Sequence, residues 1–247
     1  MSLCTFEPTH FAEGRFRRAY KGTYTRTGNR CVVKENKESY TWKSTDWNMA
    51  VKLYEESKKL ADQFDKRCTG SIQFADVTVG YVSQTSNTGR PKLNEYVLVE
   101  DYIPGNFTKW CNNYGYISSD SELMPAFMHW SWVQTKGQAM VADLQGAREY
   151  STYHLTDPVL LSTTEGGKYG CTDTGVEGMA MFFLKHTCNQ FCRGLPKPTI
   201  GDVVGKHSAL AQLEMIMTST AYSHELKFPK HIRQTMITKF PQIATNY

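Results

Sequence analysis

The sequence predicts a mixed α+β fold in two lobes, and three observations predict it. Short β-prone runs crowd the first hundred residues around one long helical stretch. A segment rich in Asn, Gly and Ser, about residues 100 to 118, then interrupts the pattern as a lobe connection. Beyond it, helical and buried-strand patterns alternate without any internal repeat or low-complexity tract.

Taken in order, Phe16 to Tyr24 and Arg30 to Glu35 read as strands joined by the turn residues Arg26-Thr-Gly-Asn-Arg30. From about Thr45 to Lys66, Trp47, Ala50, Val51, Tyr54, Ala61 and Phe64 recur at helical spacing with charges between them. Gly70 follows as a stop. Ile72 to Val82 and the apolar run Tyr96-Val-Leu-Val-Glu100 read as strands. After the Pro104-Gly105-Asn106 punctuation, Phe127 to Trp132 reads as helix and Ala139 to Leu144 as buried strand. Gly166 to Gly178 is a glycine-bearing loop. Within it, Thr174-Gly-Val-Glu177 has the form of a capping box ahead of the apolar stretch Met179 to Leu184. A further amphipathic helix is expected at about Ser208 to Leu226.

Composition narrows the function classes. A chain of 247 residues, 40% hydrophobic, 13% aromatic and 21% charged, is neither disordered, collagenous nor coiled coil. No apolar run approaches the ~20 residues that cross a bilayer, and the N-terminus lacks the basic and apolar regions of a secretory signal. A net charge of +4 permits an anionic ligand without demanding nucleic acid. The five tryptophans have no RNP-like pattern or dense basic stripe beside them, so they read as packing. Seven cysteines, five of them scattered, read as those of a reduced, cytoplasmic protein rather than a disulfide scaffold.

Three groups of residues carry possible chemistry. His186-Thr-Cys188-Asn-Gln-Phe-Cys192 supplies one imidazole and two thiols. A structural zinc needs four such ligands. His129 is one candidate for the fourth, and two buried cysteines beside an unrelated histidine is the competing reading. Val141-Ala-Asp143-Leu-Gln145-Gly146 and Leu155-Thr-Asp157-Pro158 offer hard oxygen ligands suited to Mg²⁺, or else ordinary turn aspartates. Lys34, inside the apolar strand Cys31-Val-Val-Lys34, either meets a phosphate or alternates outward to solvent. The preceding FAEGRFRRAYKG contains a glycine turn that can lie over phosphates, but it is neither a Walker loop nor the glycine loop of ordinary kinases.

Together the segments FAEGRFRRAYKG, CVVK, KLADQFDK, VEDYIPGNFTKWCNNYG, HWSW, DLQG, LTDP and GVEGMAMFFLKHTCNQFC resemble the alpha-kinases, over roughly residues 6 to 198. The resemblance implies a two-lobed alpha-kinase domain over residues 1–198, with an N-lobe to about 100 and a zinc-bearing C-lobe over about 101–198. It implies ATP in the cleft and transfer of its γ-phosphoryl group to protein Ser or Thr. By the same resemblance, Lys34 contacts the ATP phosphates. Glu100 and Tyr102 lie where main chain meets adenine, while Lys109 and Asn113 line the nucleotide site. Asp143 is the catalytic aspartate, Gln145 and Asp157 hold Mg²⁺, and His129, His186, Cys188 and Cys192 hold a structural zinc. A catalytically silent nucleotide-binding or scaffold module is the alternative.

Two departures from the family pattern carry expectations. The spacer Ala147 to His154, between DLQG and LTDP, is long and is expected to form a loop beside the metal site. Asp173 stands where family members often have Asn, and is expected to alter substrate contact. Residues 199–247 carry no family motif and read as a helical extension packed on the C-lobe.

Overall fold

A computed structural model of the chain describes residues 3–68, 70–84, 89–163 and 168–196. The helix expected at about Ser208 to Leu226, and the whole 199–247 extension, lie outside the described residues. In chain order the strands are β1 Cys4–Phe6, β2 Ala12–Glu13, β3 Arg17–Tyr24, β4 Arg30–Asn36, β5 Ser71–Phe74 and β6 Val77–Tyr81. They continue with β7 Tyr96–Asp101, β8 Thr108–Lys109, β9 Ala139–Ala142, β10 Gln145–Glu149, β11 Thr152–Thr156 and β12 Val159–Ser162. The helices are α1 Asn48–Asp65, α2 Leu123–Gln134 and α3 Gly175–Lys185. The chain divides into two compact units, Met1–Thr108 with Gln145–Pro158, and Lys109–Leu144 with Val159–Tyr247.

The first unit is built on an antiparallel sheet of order β1-β3-β4-β7-β6, with β2 on the edge of β3. Side chains alternate across such a sheet, so its two faces can be read from the register. Ala19 pairs with Lys34, Lys34 with Leu98, and Val32 with Glu100, which puts Lys34 and Glu100 on one face. Cys31, Val33, Val97, Val99 and Tyr20 occupy the other and form a hydrophobic cluster with Val82. Both faces of β4 are covered, so it is buried from Cys31 to Glu35. That explains why its sequence reads as a continuous apolar run rather than an alternation.

Helix α1 follows the predicted stretch, preceded by a 3-10 turn over Ser44–Trp47. Ala50, Leu53, Tyr54, Ser57, Ala61 and Phe64 form its buried stripe at three- and four-residue spacing, packed on β5 and β6. A second sheet runs β5-β11-β10-β8, with β5 parallel to β11 and β10 antiparallel to it. The long spacer between DLQG and LTDP is therefore not a loop. It is the β10–β11 hairpin, paired from Gln145↔Thr156 to Glu149↔Thr152, with its tip at the exposed Tyr150. Extra residues in a hairpin lengthen the ladder without disturbing its base.

In the second unit, β9 and β12 pair antiparallel, with Ala142 opposite Val159. Helix α2 packs on β9 and α3 on β12. Leu123 through Ser131 of α2 are all buried, so this helix is apolar on every side. Pro125 falls in its first turn, where no intrahelical N–H is required.

The capping box expected at the start of α3 does not form. Thr174 occupies the N-cap position, but its hydroxyl donates to the Asn113 carbonyl at 2.6 Å. The Glu177 carboxylate instead accepts from the Tyr114 hydroxyl. The cause is close packing at Gly178, where a Cβ would lie 2.6 Å from the Asn113 oxygen. The segment around Asn113 thus sits where the reciprocal cap would be and takes its hydrogen bonds.

Candidate active site and metal centre

The face of β4 and β7 that carries Lys34 and Glu100 is met by α1 and by the end of β11. The Lys34 ammonium lies 2.6 Å from Glu100 Oε1, 2.8 Å from Asp157 Oδ2 and 2.9 Å from Thr156 Oγ1. Glu100 Oε2 accepts from the Tyr54 hydroxyl at 2.6 Å and from Thr156 at 2.7 Å. Asp157 Oδ1 accepts from Arg17 at 2.8 Å, and the Arg17 guanidinium lies over the Trp47 ring. Two cations and two carboxylates therefore meet with their hydrogen bonds made. This is the condition under which charges are tolerated away from water.

The electrostatics follow from that geometry. Burial alone would lower the Lys34 pKa, but the facing Asp157 and Glu100 carboxylates outweigh it and leave it raised. Burial would raise the Asp157 pKa, yet Lys34 and Arg17 bring it down to about 2. Tyr54 is pushed well above the ordinary tyrosine value, first by burial and then by Asp157 and Glu100. All three groups thus keep the charge state that their hydrogen bonds need.

The base of the β10–β11 hairpin supplies further oxygen donors. Gln145 pairs with Thr156, so it stands opposite the residue that precedes Asp157. Gly146, with φ +153°, is required here because a Cβ would lie 1.9 Å from the His154 carbonyl oxygen. Asp157 itself adopts φ +49°, and Asp143 adopts φ +58°. Left-handed backbone is uncommon for residues other than glycine, and aspartate is among those that tolerate it best. Both aspartates singled out by sequence therefore sit in conformations that persist only when their surroundings impose them.

In the second unit, Asp143 Oδ1 accepts from the Lys109 ammonium at 2.7 Å. Asn113 donates its side-chain amide to the Thr172 carbonyl at 2.8 Å, which ties it to the loop before α3. Asp173 makes internal hydrogen bonds. Its carboxylate accepts from the Ser162 amide and hydroxyl, the Tyr169 amide and the Gly175 amide. It is the internal organiser of that loop.

Tyr102, in the first unit, donates its amide to the Arg30 carbonyl at 3.3 Å, and the Arg30 guanidinium lies 3.6 Å from the centre of its ring.

A separate group forms in the second unit. The ligand atoms of His129, His186, Cys188 and Cys192 all lie within 4.8 Å of one another. Cys188 Sγ is 3.7 Å from His129 Nδ1, and Cys192 Sγ is 3.4 Å from His186 Nε2. Tetrahedral zinc with these donors has N···S edges of about 3.5 Å, so the donor set and its spacing fit that ion. The other nitrogen of His129, Nε2, faces the Pro196 carbonyl at 3.0 Å and must donate to it. That leaves Nδ1 with its lone pair toward the group, the arrangement that orients a metal-binding imidazole. Phe182 stacks on His186, while Phe183 packs edge-on to His129. The apolar run of α3 thus holds both rings in place.

The sequence pattern of the alpha-kinase family matches residues 12–192, a span that contains each of these groups. The chain belongs to the alpha-kinase family. It is 30% identical over 194 residues to alpha-protein kinase vwkA of Dictyostelium discoideum, covering 76% of this chain and 30% of that protein. Myosin heavy chain kinase B of the same organism is 30% identical over 200 residues, covering 78% of this chain and 26% of that protein. The chain thus spans about a third or less of the length of these relatives. Among solved structures, an alpha kinase from Entamoeba histolytica superposes with a TM-score of 0.69 at 28% identity, covering 79% of this chain and 80% of that one.

The structure of this alpha-kinase family member brings Lys34, Glu100 and Asp157 into one cluster, with Gln145 at its edge by register. It pairs Asp143 with Lys109, and it gathers the His/Cys quartet. Sequence reasoning missed Tyr54, Thr156 and Arg17, and it gave Glu100 a main-chain role without anticipating its carboxylate's contact with Lys34. Tyr54 carried a usable signal, a phenol amid the apolar stripe of α1, since a buried tyrosine hydroxyl needs a partner.

Proposed function

We propose that the chain is a serine/threonine protein kinase domain that transfers the γ-phosphoryl group of ATP to a protein hydroxyl. The observation that carries this reading is the buried Lys34 ammonium, held 2.6 Å from Glu100 and 2.8 Å from Asp157 beside the oxygen donors of the β10–β11 base. Family membership supports it. So does the alpha-kinase domain of myosin-II heavy chain kinase A, which shares the fold (TM-score 0.65, 22% identity) and was solved in complex with AMP-PNP.

Phosphoryl transfer needs positioning and charge neutralisation more than covalent chemistry. Lys34 neutralises phosphate charge, with Glu100 aiming its ammonium. Tyr102 and the Glu100 main chain flank the adenine, while Lys109 and Asn113 line the nucleotide. Gln145 and Asp157 offer the hard oxygens that suit Mg²⁺, an ion usually held by few protein groups together with phosphate and water. When bound, it offsets the charge that builds on the phosphate oxygens. Asp143 orients the acceptor hydroxyl and takes its proton as the oxygen bonds to the γ-phosphorus and ADP leaves. His129, His186, Cys188 and Cys192 hold zinc structurally, because four protein ligands leave no open position for chemistry. The work is expected in the cytoplasm, where ATP and reduced thiols are available.

The test is a radiolabelled ATP transfer assay with Mg²⁺ and basic protein substrates, followed by phosphoamino-acid analysis. Wild type is expected to label Ser or Thr. Asp143→Ala is expected to lose at least about a hundredfold in rate while retaining its melting temperature. Nucleotide binding without transfer by folded wild type would instead establish the scaffold reading.

A further inference from the structure

The Tyr54 hydroxyl stands at the centre of the cluster, yet it belongs to α1 and has no part in the chemistry described above. Counting hydrogens defines what it does. A phenol has one proton to give, and the shortest contact to a carboxylate is Glu100 Oε2 at 2.6 Å, so the proton goes there. The Thr156 hydroxyl also gives its proton to Glu100 Oε2, at 2.7 Å, and accepts from Lys34. The 2.9 Å contact between Tyr54 and Thr156 therefore carries no proton of its own. What remains for Tyr54 is to accept, and the donor is the Asp157 backbone amide at 2.9 Å.

That last bond joins two facts. Asp157 holds φ +49°, a conformation that needs enforcement, and its amide is enforced by a side chain from a different element. Tyr54 is nearly inaccessible to solvent, so water cannot replace it. One oxygen atom thus fixes the backbone that aims the Asp157 carboxylate and, through Glu100, the carboxylate that aims Lys34.

We infer that Tyr54 is a positioning residue for the Mg²⁺–nucleotide site, whose hydroxyl sets the aim of Asp157 and Lys34. The inference rests on the kinase reading for its consequence in catalysis, but its consequence for Mg²⁺-dependent nucleotide binding is independent of transfer.

The experiment uses the full chain as wild type, Tyr54→Phe and Ala50→Gly. Ala50 is buried on the same helix, and glycine there weakens α1 without touching the hydroxyl. Two readouts are taken across an Mg²⁺ titration: affinity for a fluorescent ATP analogue, and phosphate transfer. Tyr54→Phe is expected to raise the half-saturating Mg²⁺ concentration about tenfold in both readouts, the usual effect of removing a group that orients a ligand. Its rate at saturating Mg²⁺ should stay within about twofold of wild type. Ala50→Gly should lower the melting temperature and leave the Mg²⁺ midpoint where it was.

An unchanged midpoint in Tyr54→Phe, or an equal shift in Ala50→Gly, overturns the inference. Should wild type bind nucleotide and transfer nothing, the kinase reading falls while the binding titration still decides the role of Tyr54. Failure of wild type to bind nucleotide at any Mg²⁺ concentration overturns both.

Discussion

The two groups of functional side chains solve opposite electrostatic problems. Around Lys34 the protein supplies both signs of charge, with Lys34 and Arg17 against Glu100 and Asp157. Around His129 it gathers neutral ligand groups, two imidazoles and two thiols whose nitrogen and sulfur atoms lie within 4.8 Å of one another. The first group has its charges matched within the protein, and under the kinase reading proposed above a nucleotide is exchanged into it. The second is a set of nitrogen and sulfur ligand atoms close enough to share one metal ion, and under the zinc reading proposed above its stabilisation comes from that cation. Removal of a component should therefore hurt the second far more than the first.

The largest effect expected is at the metal centre. The protein should purify with zinc near one per chain by elemental analysis. Chelation in mild denaturant should then abolish the near-ultraviolet circular dichroism of the second unit's tryptophans. Structural zinc contributes an apparent ~10 kcal/mol or more, comparable with the entire stability of a domain. Protein that carries no zinc and ignores chelators would erase the contrast.

An intermediate effect is expected within the charged cluster. Lys34→Met leaves two carboxylates facing each other without their ammonium, and should cost about 3–5 kcal/mol in urea unfolding. Lys58 of α1 also pairs with a carboxylate, that of the exposed Asp76 between β5 and β6. Lys58→Ala should cost about 0.5 kcal/mol or less, because an exposed pair is screened. Similar losses in the two variants would show that burial does not govern the cluster.

The smallest effect is the pH dependence of Asp157. Its pKa is depressed to about 2 in the folded protein, against about 3.9 in an unfolded chain. Its stabilisation is therefore full above about pH 4 and is lost as the pH falls toward 2. Urea midpoints measured between pH 5 and 2.5 should fall more steeply for wild type than for Asp157→Asn. The difference should be modest, since about a third of the Asp157 side chain is exposed. Parallel curves would mean that Lys34 and Arg17 do not hold that carboxylate.

The same contrast governs what could be read from sequence. Three of the four residues of the His/Cys group fall within seven residues, so their metal-binding chemistry is visible in one line of text, and family resemblance singled out the candidate His129 as the fourth. β3, β4, β7, β9 and α1 were legible because their apolar patterns are local, whereas β10 and β11, whose partners lie partly on β5 and β8, read as a loop. The charged cluster was not. Its members come from β3, β4, α1, β7 and the end of β11, and only the register brings Glu100 diagonal to Lys34. The capping box failed for a related reason. Thr174 and Glu177 have the right spacing, but a tertiary neighbour at Asn113 and Tyr114 took both bonds. The internal role of Asp173 was hidden in the same way, since nothing local reveals that four donors converge on it.

The hairpin of β10 and β11 has one more consequence, for any attempt to dissect the molecule. It leaves the second unit after Leu144, completes a sheet in the first, and returns at Val159. Neither unit is a continuous stretch of polypeptide. A fragment ending at Thr108 would carry Lys34 and Glu100 but would lack Asp157, and β5 would lose its parallel neighbour and present a bare edge. Expression of the two halves as separate pieces should yield aggregates, whereas proteolytic nicking at the exposed Tyr150 tip leaves every residue pair of the β10–β11 ladder in place.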